Sequence, residues 1–361
     1  MVNATRIGLD VHMQSIKGAA LNVSTGEIET RSFRNDPAEL ASWIQGFEDP
    51  KAVYESGVTG FYLQRILESY GVDCVVAAPS KIIRPLADRR KKNDKRDAAL
   101  LARLLAQGAI TEVHVPDPEC EASRDLSRTL ADARKEVKGC KHRLSKLLLR
   151  HGYRYEAGAL WTSAHWEWIE SIEMSEPAAQ YALDARIENC KHAIDIKEEL
   201  EAKVREHAAK HRWKKQVDAL MCLKGIGAVT AFALVVETDG FTRFRKASAY
   251  ASWLGLTPSE HSSGESRRTG SITKTGNRYL RELLEAAARH YSNASLGKMV
   301  AINQAVAPEI REHAKKGVCR LVVKREELIF SGKKPAVANT ATARELACWV
   351  WAIGRMVEET S

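Results

Sequence analysis

Apolar and polar positions alternate along Thr5–Val11, Ser15–Val23 and Glu27–Phe33, the last two joined by Ser24-Thr25-Gly26, and a period of two predicts an antiparallel three-strand meander. The period then changes. Pro37–Phe47, opened by Asn35-Asp36, predicts a helix, Lys51–Glu55 a short strand, Val58–Tyr70 an amphipathic helix and Asp73–Ala77 an apolar strand. After Pro79 a basic loop leads to a helix starting at Asp94. Farther on, Pro118–Tyr153 and Ala178–Trp213 are long, charged helical stretches with apolar stripes, such as Leu126, Leu130, Val137, Leu144, Leu147 and Leu148 on the first. They predict an antiparallel or intermolecular coiled coil, although the spacing is not a strict heptad.

The order three strands, helix, strand, helix, strand, helix requires crossovers and a mixed sheet covered on both faces. It is the order of a ribonuclease H-like fold. The fold class expected is therefore α/β plus α: a ribonuclease H-like domain over 1–115, a coiled-coil linker or oligomerisation region over 116–215, and a helical domain over 216–361. Within the last, Leu223-Lys224-Gly225-Ile226-Gly227 before Ala228–Glu237 predicts a helix-hairpin-helix, whose glycines free backbone N–H groups to meet a phosphate; the rival is a turn that merely joins two packed helices. Gly255–Asn277 reads as a polar, basic loop. Helices are expected at Arg278–His290, Ser295–Lys315, Val318–Phe330 and Thr340–Val357, with Gly332-Lys333-Lys334-Pro335 as a basic turn. Trp161, Trp166 and Trp168 suit burial more than base stacking, and Trp349 and Trp351 suit packing.

Charge narrows the partners. Fifty-five Lys and Arg against forty-six acids give a formal charge of +9, which favours a polyanion. Seven scattered cysteines with no CxxC pair read as reduced thiols rather than a zinc site. No apolar run is long enough to cross a bilayer and the start has no signal-peptide plan, so a cytoplasmic, nucleoid-associated place is expected.

Candidate chemistry begins at Lys91-Lys92-Asn93-Asp94-Lys95-Arg96-Asp97-Ala98. Asp94 and Asp97, three apart on a helix, share a face, and paired carboxylates suit a hard cation such as Mg²⁺. A solvated helix start is the rival reading. In the expected topology Asp10, near the end of the first strand, and Glu55, at the end of the fourth, reach the same sheet edge; four converging carboxylates imply a metal. For Glu55 the rival is a strand-to-helix turn in which Ser56 or Thr59 caps the next helix. The hydroxyl-rich Gly255–Gly276 stretch suits a phosphate clamp or a phosphate-attacking nucleophile.

Together, Ile7-Gly8-Leu9-Asp10, Glu55-Ser56-Gly57-Val58-Thr59-Gly60, Asn93-Asp94-Lys95-Arg96-Asp97-Ala98, Gly225-Ile226-Gly227 and the Gly255–Gly276 stretch resemble the DEDD transposases of the IS one-ten insertion-sequence family, in order and over nearly the whole chain. The family usually carries Thr where Asn93 stands, a position that holds no ligand. The resemblance implies a recombinase acting as a dimer to tetramer on donor and target DNA, guided by a structured non-coding RNA from the element. It places the metal-binding tetrad on Asp10, Glu55, Asp94 and Asp97, with Mg²⁺ or Mn²⁺, and the nucleophile on Ser263, with Ser262 one residue away. A phosphoserine intermediate follows. The complete site is expected to assemble between protomers. Arg267, Arg268 and Lys274 are candidate phosphate clamps, His261 a candidate proton acceptor, and Lys91, Lys92, Lys95, Arg96, Lys224, Gly225 and Gly227 further nucleic-acid contacts. Two alternatives stay open: a RuvC-like nuclease using water, and a non-catalytic nucleic-acid scaffold.

Overall fold

The computed structural model describes residues 4–82, 94–210, 212–263, 266–292 and 305–360, and leaves the side chains of 94, 95, 260–263 and 266–269 undescribed. The chain divides into two compact units, Met1–Pro116 and Asp117–Ser361.

The first unit is built on strands β1 (Thr5–Val11), β2 (Ser15–Asn22), β3 (Ile28–Arg34), β4 (Pro50–Glu55) and β5 (Cys74–Ala77), in the order β3-β2-β1-β4-β5. The meander pairs antiparallel, and β4 and β5 join it in parallel, as the crossovers require. Helix α1 (Pro37–Gln45) is capped by Asp36, whose carboxylate accepts from Ala38 and Glu39, and α2 is Tyr62–Ser69. Both helices cover one face with Leu40, Ile44, Leu63 and Leu67, against Ile7, Leu9, Ala52 and Tyr54. Helix α3 (Asp94–Ala106) covers the other, where Leu101 meets Val53 and Ala77. Gly8 makes that seat possible: a Cβ there would lie 1.9 Å from the Ala98 carbonyl oxygen.

One detail of the first unit departs from the expectation. Helix α2 starts four residues later than predicted, behind Phe61 and with no side-chain cap, so neither Ser56 nor Thr59 caps it. The intervening turn is held by Tyr54, whose hydroxyl donates to the Gly60 carbonyl at 3.0 Å.

The second unit opens with α4 (Pro118–Arg150), α5 (Ser163–Glu170) and α6 (Pro177–Lys210). Helices α4 and α6 pack antiparallel, since Ser123 meets His207 at one end, Arg134 meets Glu201 midway, and Cys140 and Cys190 share a cluster beyond. Two separate cores hold them. Toward the far end, Leu144, Leu147, Leu148, Ile169 and Leu183 form one cluster, with Trp161, Trp166 and Trp168 packed on it. The near end, through Cys120, Leu130, Val204 and Ala208, enters the main core of the unit.

That core surrounds α8 (Ala228–Thr238), whose Ala231, Phe232, Ala233 and Leu234 are fully buried. Helices α7 (Lys214–Leu220), α9 (Ala247–Trp253), α10 (Arg278–Ala288), α11 (Pro308–Phe330) and α12 (Pro335–Glu359) complete the unit. Trp349 and Trp351 pack on this core, as predicted. Two corrections arise here. The Gly255–Asn277 stretch, read as a loop, contains an antiparallel hairpin of β6 (Pro258–Ser263) and β7 (Ser266–Ile272). The break expected between Lys315 and Val318 is absent: α11 runs through Gly317, where a Cβ would meet the Trp349 ring at 2.8 Å. Of the helix expected at Ser295–Lys315, residues 293–304 lie outside those described.

Candidate nucleic-acid and metal site

Side chains alternate across a strand, so the register of β1 and β4 decides which carboxylates share a face. Gly8 is in register with Val53 and Leu9 with Tyr54. Gly8 and Val53 lie on the α3 side, while Leu9 and Tyr54 enter the core under α1 and α2. Asp10 and Glu55 are each one residue beyond the Leu9–Tyr54 pair. Both therefore lie on the α3 side, on adjacent strands at the same sheet edge. Asp97 is in the first turn of α3, four residues before Leu101, the residue that seats the helix on Val53. Asp94 begins the helix, and its side chain is among those undescribed.

Asp10 Oδ2 lies 3.1 Å from His12 Nε2, with the two side chains 22% and 45% exposed, so solvent reaches the pair. Among the described residues no three His, Cys, Asp or Glu side chains are grouped closely enough to hold a metal ion. Asp10, Glu55 and Asp97 alone thus do not make a closed site. The donor set nevertheless fits a hard divalent cation, because it is all carboxylate oxygen and sits at a helix start on one sheet edge.

The predicted nucleic-acid contacts separate by environment. Lys91 and Lys92 lie outside the described residues, as does the side chain of Lys95; Arg96 is exposed on the first turn of α3. Lys224 is buried at 8% exposure. Gly225, at φ +78°, packs against α10, where a Cβ would sit 2.6 Å from the Ala287 carbonyl oxygen. The close approach of Gly225 to α10 favours the packing reading of that turn. Gly227 faces open space at the N-cap of α8.

In the hairpin Ser263 is in register with Ser266, Ser262 with Arg267 and His261 with Arg268, so the candidate nucleophile and cations share one two-stranded ribbon. Lys274 is exposed at φ +56°, and its backbone N–H donates to the Gly255 carbonyl at 3.1 Å. Glu237, which pattern reading passes over, lies at the end of α8, where Arg128 and Asn277 donate to it. Its signal was a lone acid closing an apolar run.

A DEDD transposase family of IS110 type matches residues 7–152, and the family described as "Transposase IS116/IS110/IS902 family" matches residues 217–301. The chain is 35% identical over 317 residues to "Putative transposase y4qE" of Sinorhizobium fredii, covering 87% of this chain and 78% of that one. It is 29% identical over 242 residues to the transposase for insertion sequence element IS1533 of Leptospira borgpetersenii, covering 65% and 70%. It is also 25% identical over 307 residues to the transposase for insertion sequence element IS1111A of Coxiella burnetii, covering 80% and 79%.

These matches define an enzyme acting on DNA, a transposase. The chain belongs to the IS110 family of insertion-sequence transposases. A non-catalytic scaffold is thereby set aside. No described helix is long and apolar enough to cross a membrane.

Proposed function

We propose that this transposase carries a ribonuclease H-like catalytic domain whose Asp10, Glu55, Asp94 and Asp97 hold Mg²⁺ or Mn²⁺, and that it cuts and rejoins DNA through a phosphoserine at Ser263. The observation that carries the reading is the placement of Asp10 and Glu55 one residue beyond the paired Leu9 and Tyr54, on the α3 side of the sheet. A bound divalent cation supplies neutralisation of the charge that develops at phosphorus and on the leaving oxygen. The rest is the work of the chain. The Ser263 hydroxyl gives up its proton, with His261 the candidate acceptor, and its Oγ bonds to phosphorus as the bond to the 3′-oxygen breaks. The departing oxygen takes a proton and becomes a free 3′-hydroxyl. Attack by a 3′-hydroxyl of a partner strand then reverses the step, releasing Ser263 without loss of phosphodiester bond energy.

Arg267, Arg268 and Lys274, around the same ribbon, hold the phosphates flanking the cut, while Arg96 and the helix start at Gly227 contact the backbone elsewhere. A structured RNA from the element selects donor and target strands, and a homo-oligomer of two to four copies carries out the exchange. The three-part division into 1–115, 116–215 and 216–361 belongs to this reading, with α4 and α6 as its middle region.

The test is Ser263→Ala. Denaturing extraction of DNA should yield no covalent protein adduct and no cut strands, while DNA and RNA binding persist. Cutting that survives the substitution would return the reaction to the water-activating alternative.

A further inference from the structure

Glu237 is a carboxylate at the end of an apolar helix, 3% exposed, and both of its oxygens are engaged. Arg128 of α4 donates Nε to Oε1 at 2.6 Å and Nη2 to Oε2 at 2.9 Å, the two-pronged geometry that suits guanidinium and carboxylate. Asn277 donates Nδ2 to Oε2 at 2.8 Å. A carboxylate this deeply buried is costly unless donors meet its lone pairs, so the three residues stand or fall together.

Asn277 is where the chain leaves the hairpin and enters α10. Its Oδ1 accepts the Leu280 N–H at 3.0 Å, capping the helix. That bond and the bond to Glu237 fix one amide orientation, because the flipped amide would set NH₂ against N–H and carbonyl against carboxylate. Capping needs only the acceptor, which Ser or Asp also provides. The amino group is the part a cap does not require, and it is the part Glu237 holds.

Next to Asn277 the two roots of the hairpin are locked together. Thr273 N donates to Thr257 O at 2.9 Å, and Arg281 Nη1 donates to Leu254 O at 2.8 Å. At Gly255 and Gly276, both at positive φ, a Cβ would lie 2.0 Å from the Thr275 carbonyl oxygen and 1.9 Å from that of Trp253. Backbone packed this closely transmits the orientation of Asn277 into the ribbon.

We infer that Glu237 is a positioning residue for DNA strand cleavage, acting through Asn277 to fix the root of the hairpin that carries Ser263. The inference rests on the role proposed for Ser263. Through Arg128 it refers the ribbon to α4, a helix of 33 residues. Misplacing a reacting group by about 1 Å costs on the order of a hundredfold in rate, so a loosened root affects chemistry before binding.

The experiment uses full-length variants in cells carrying the insertion sequence with its flanking DNA. Recombinant junctions are counted by quantitative PCR and DNA occupancy by immunoprecipitation, and the melting of each purified chain is measured. Asn277→Ser keeps the cap acceptor and replaces the amide NH₂ that Glu237 holds with a hydroxyl on a shorter arm; junctions should fall about a hundredfold at unchanged occupancy. Asn277→Asp faces two carboxylates and should fall further. Adding Glu237→Gln to it restores a donor with polarity reversed, and junctions should recover at least tenfold over N277D alone, coupling that independent residues would not give. Wild-type yield in N277S, or a double variant no better than N277D, overturns the inference. Should N277D fail to fold, N277S decides alone. If S263A still forms junctions, the serine reading has failed. If S263A is inactive while N277S and N277D match wild type, only the role of Glu237 has.

Discussion

At Gly8 a missing side chain decides whether the candidate site can exist. The Ala98 carbonyl oxygen occupies the place of a Cβ, and Ala102 N is 2.7 Å from it, so helix backbone rests directly on strand backbone. Gly8→Ala should lift α3 from the sheet, costing about 3 kcal/mol as overpacking does. The displacement would also carry Asp97 away from the edge that Asp10 and Glu55 share. Denaturant unfolding would measure the first effect and strand cleavage the second; a variant with wild-type stability and activity would contradict the tight seat. The sequence displayed this glycine between Ile7 and Leu9 without revealing its use, because close approach is a property of two segments about ninety residues apart. Asp10 and Glu55 were legible for the opposite reason. Alternation and strand order, both written locally, suffice to bring them to one edge.

Among the elements, the long ones were read well and the short polar ones badly. Helices α4 and α6 follow from apolar stripes repeated over many turns, a signal that accumulates with length. The ribbon of β6 and β7 has little such signal: Ser, Gly, Thr and Arg dominate it, and pairing of backbone rather than burial of side chains makes it a sheet. Gly317 misled in another way. A glycine after Lys315-Lys316 looks like a helix end, yet here it makes room for Trp349. At the start of α4 the signal was again local. Asp117 caps the helix by accepting from Cys120 N at 2.8 Å, and Arg212 donates to its other oxygen at 2.6 Å. The hydrogen bond from Arg212, followed by the one from Cys120, holds its carboxyl below the ordinary aspartate value. A lowered folded value means that the contribution is complete above the ordinary value and is lost as pH falls through the lowered one. Asp117→Ala should therefore destabilise the chain by about 1 kcal/mol near neutrality, with the gap from wild type closing in acid. Chemical unfolding across pH tests this; a gap that widened on acidification would refute the assignment.

For the molecule as a whole, an excess of +9 is spread over a chain whose substrate is a polyanion. Binding through phosphate contacts weakens with salt in proportion to the number neutralised, at about 0.9 in log–log slope for each. Replacing Arg267, Arg268 and Lys274 together by Ala should lower that slope by roughly 2.7. Chelation by EDTA should stop strand cleavage and leave the slope as it was; cutting that continued in EDTA would remove the metal from the reaction. The antiparallel pair of α4 and α6 has a different consequence. Its distal end is sealed by its own cluster of Leu144, Leu147, Leu148, Ile169 and Leu183, while its base belongs to the core around α8. A stalk sealed independently at both ends can be lengthened or trimmed by whole helical turns without opening either seal, leaving its reach free to change while the chemistry stays put.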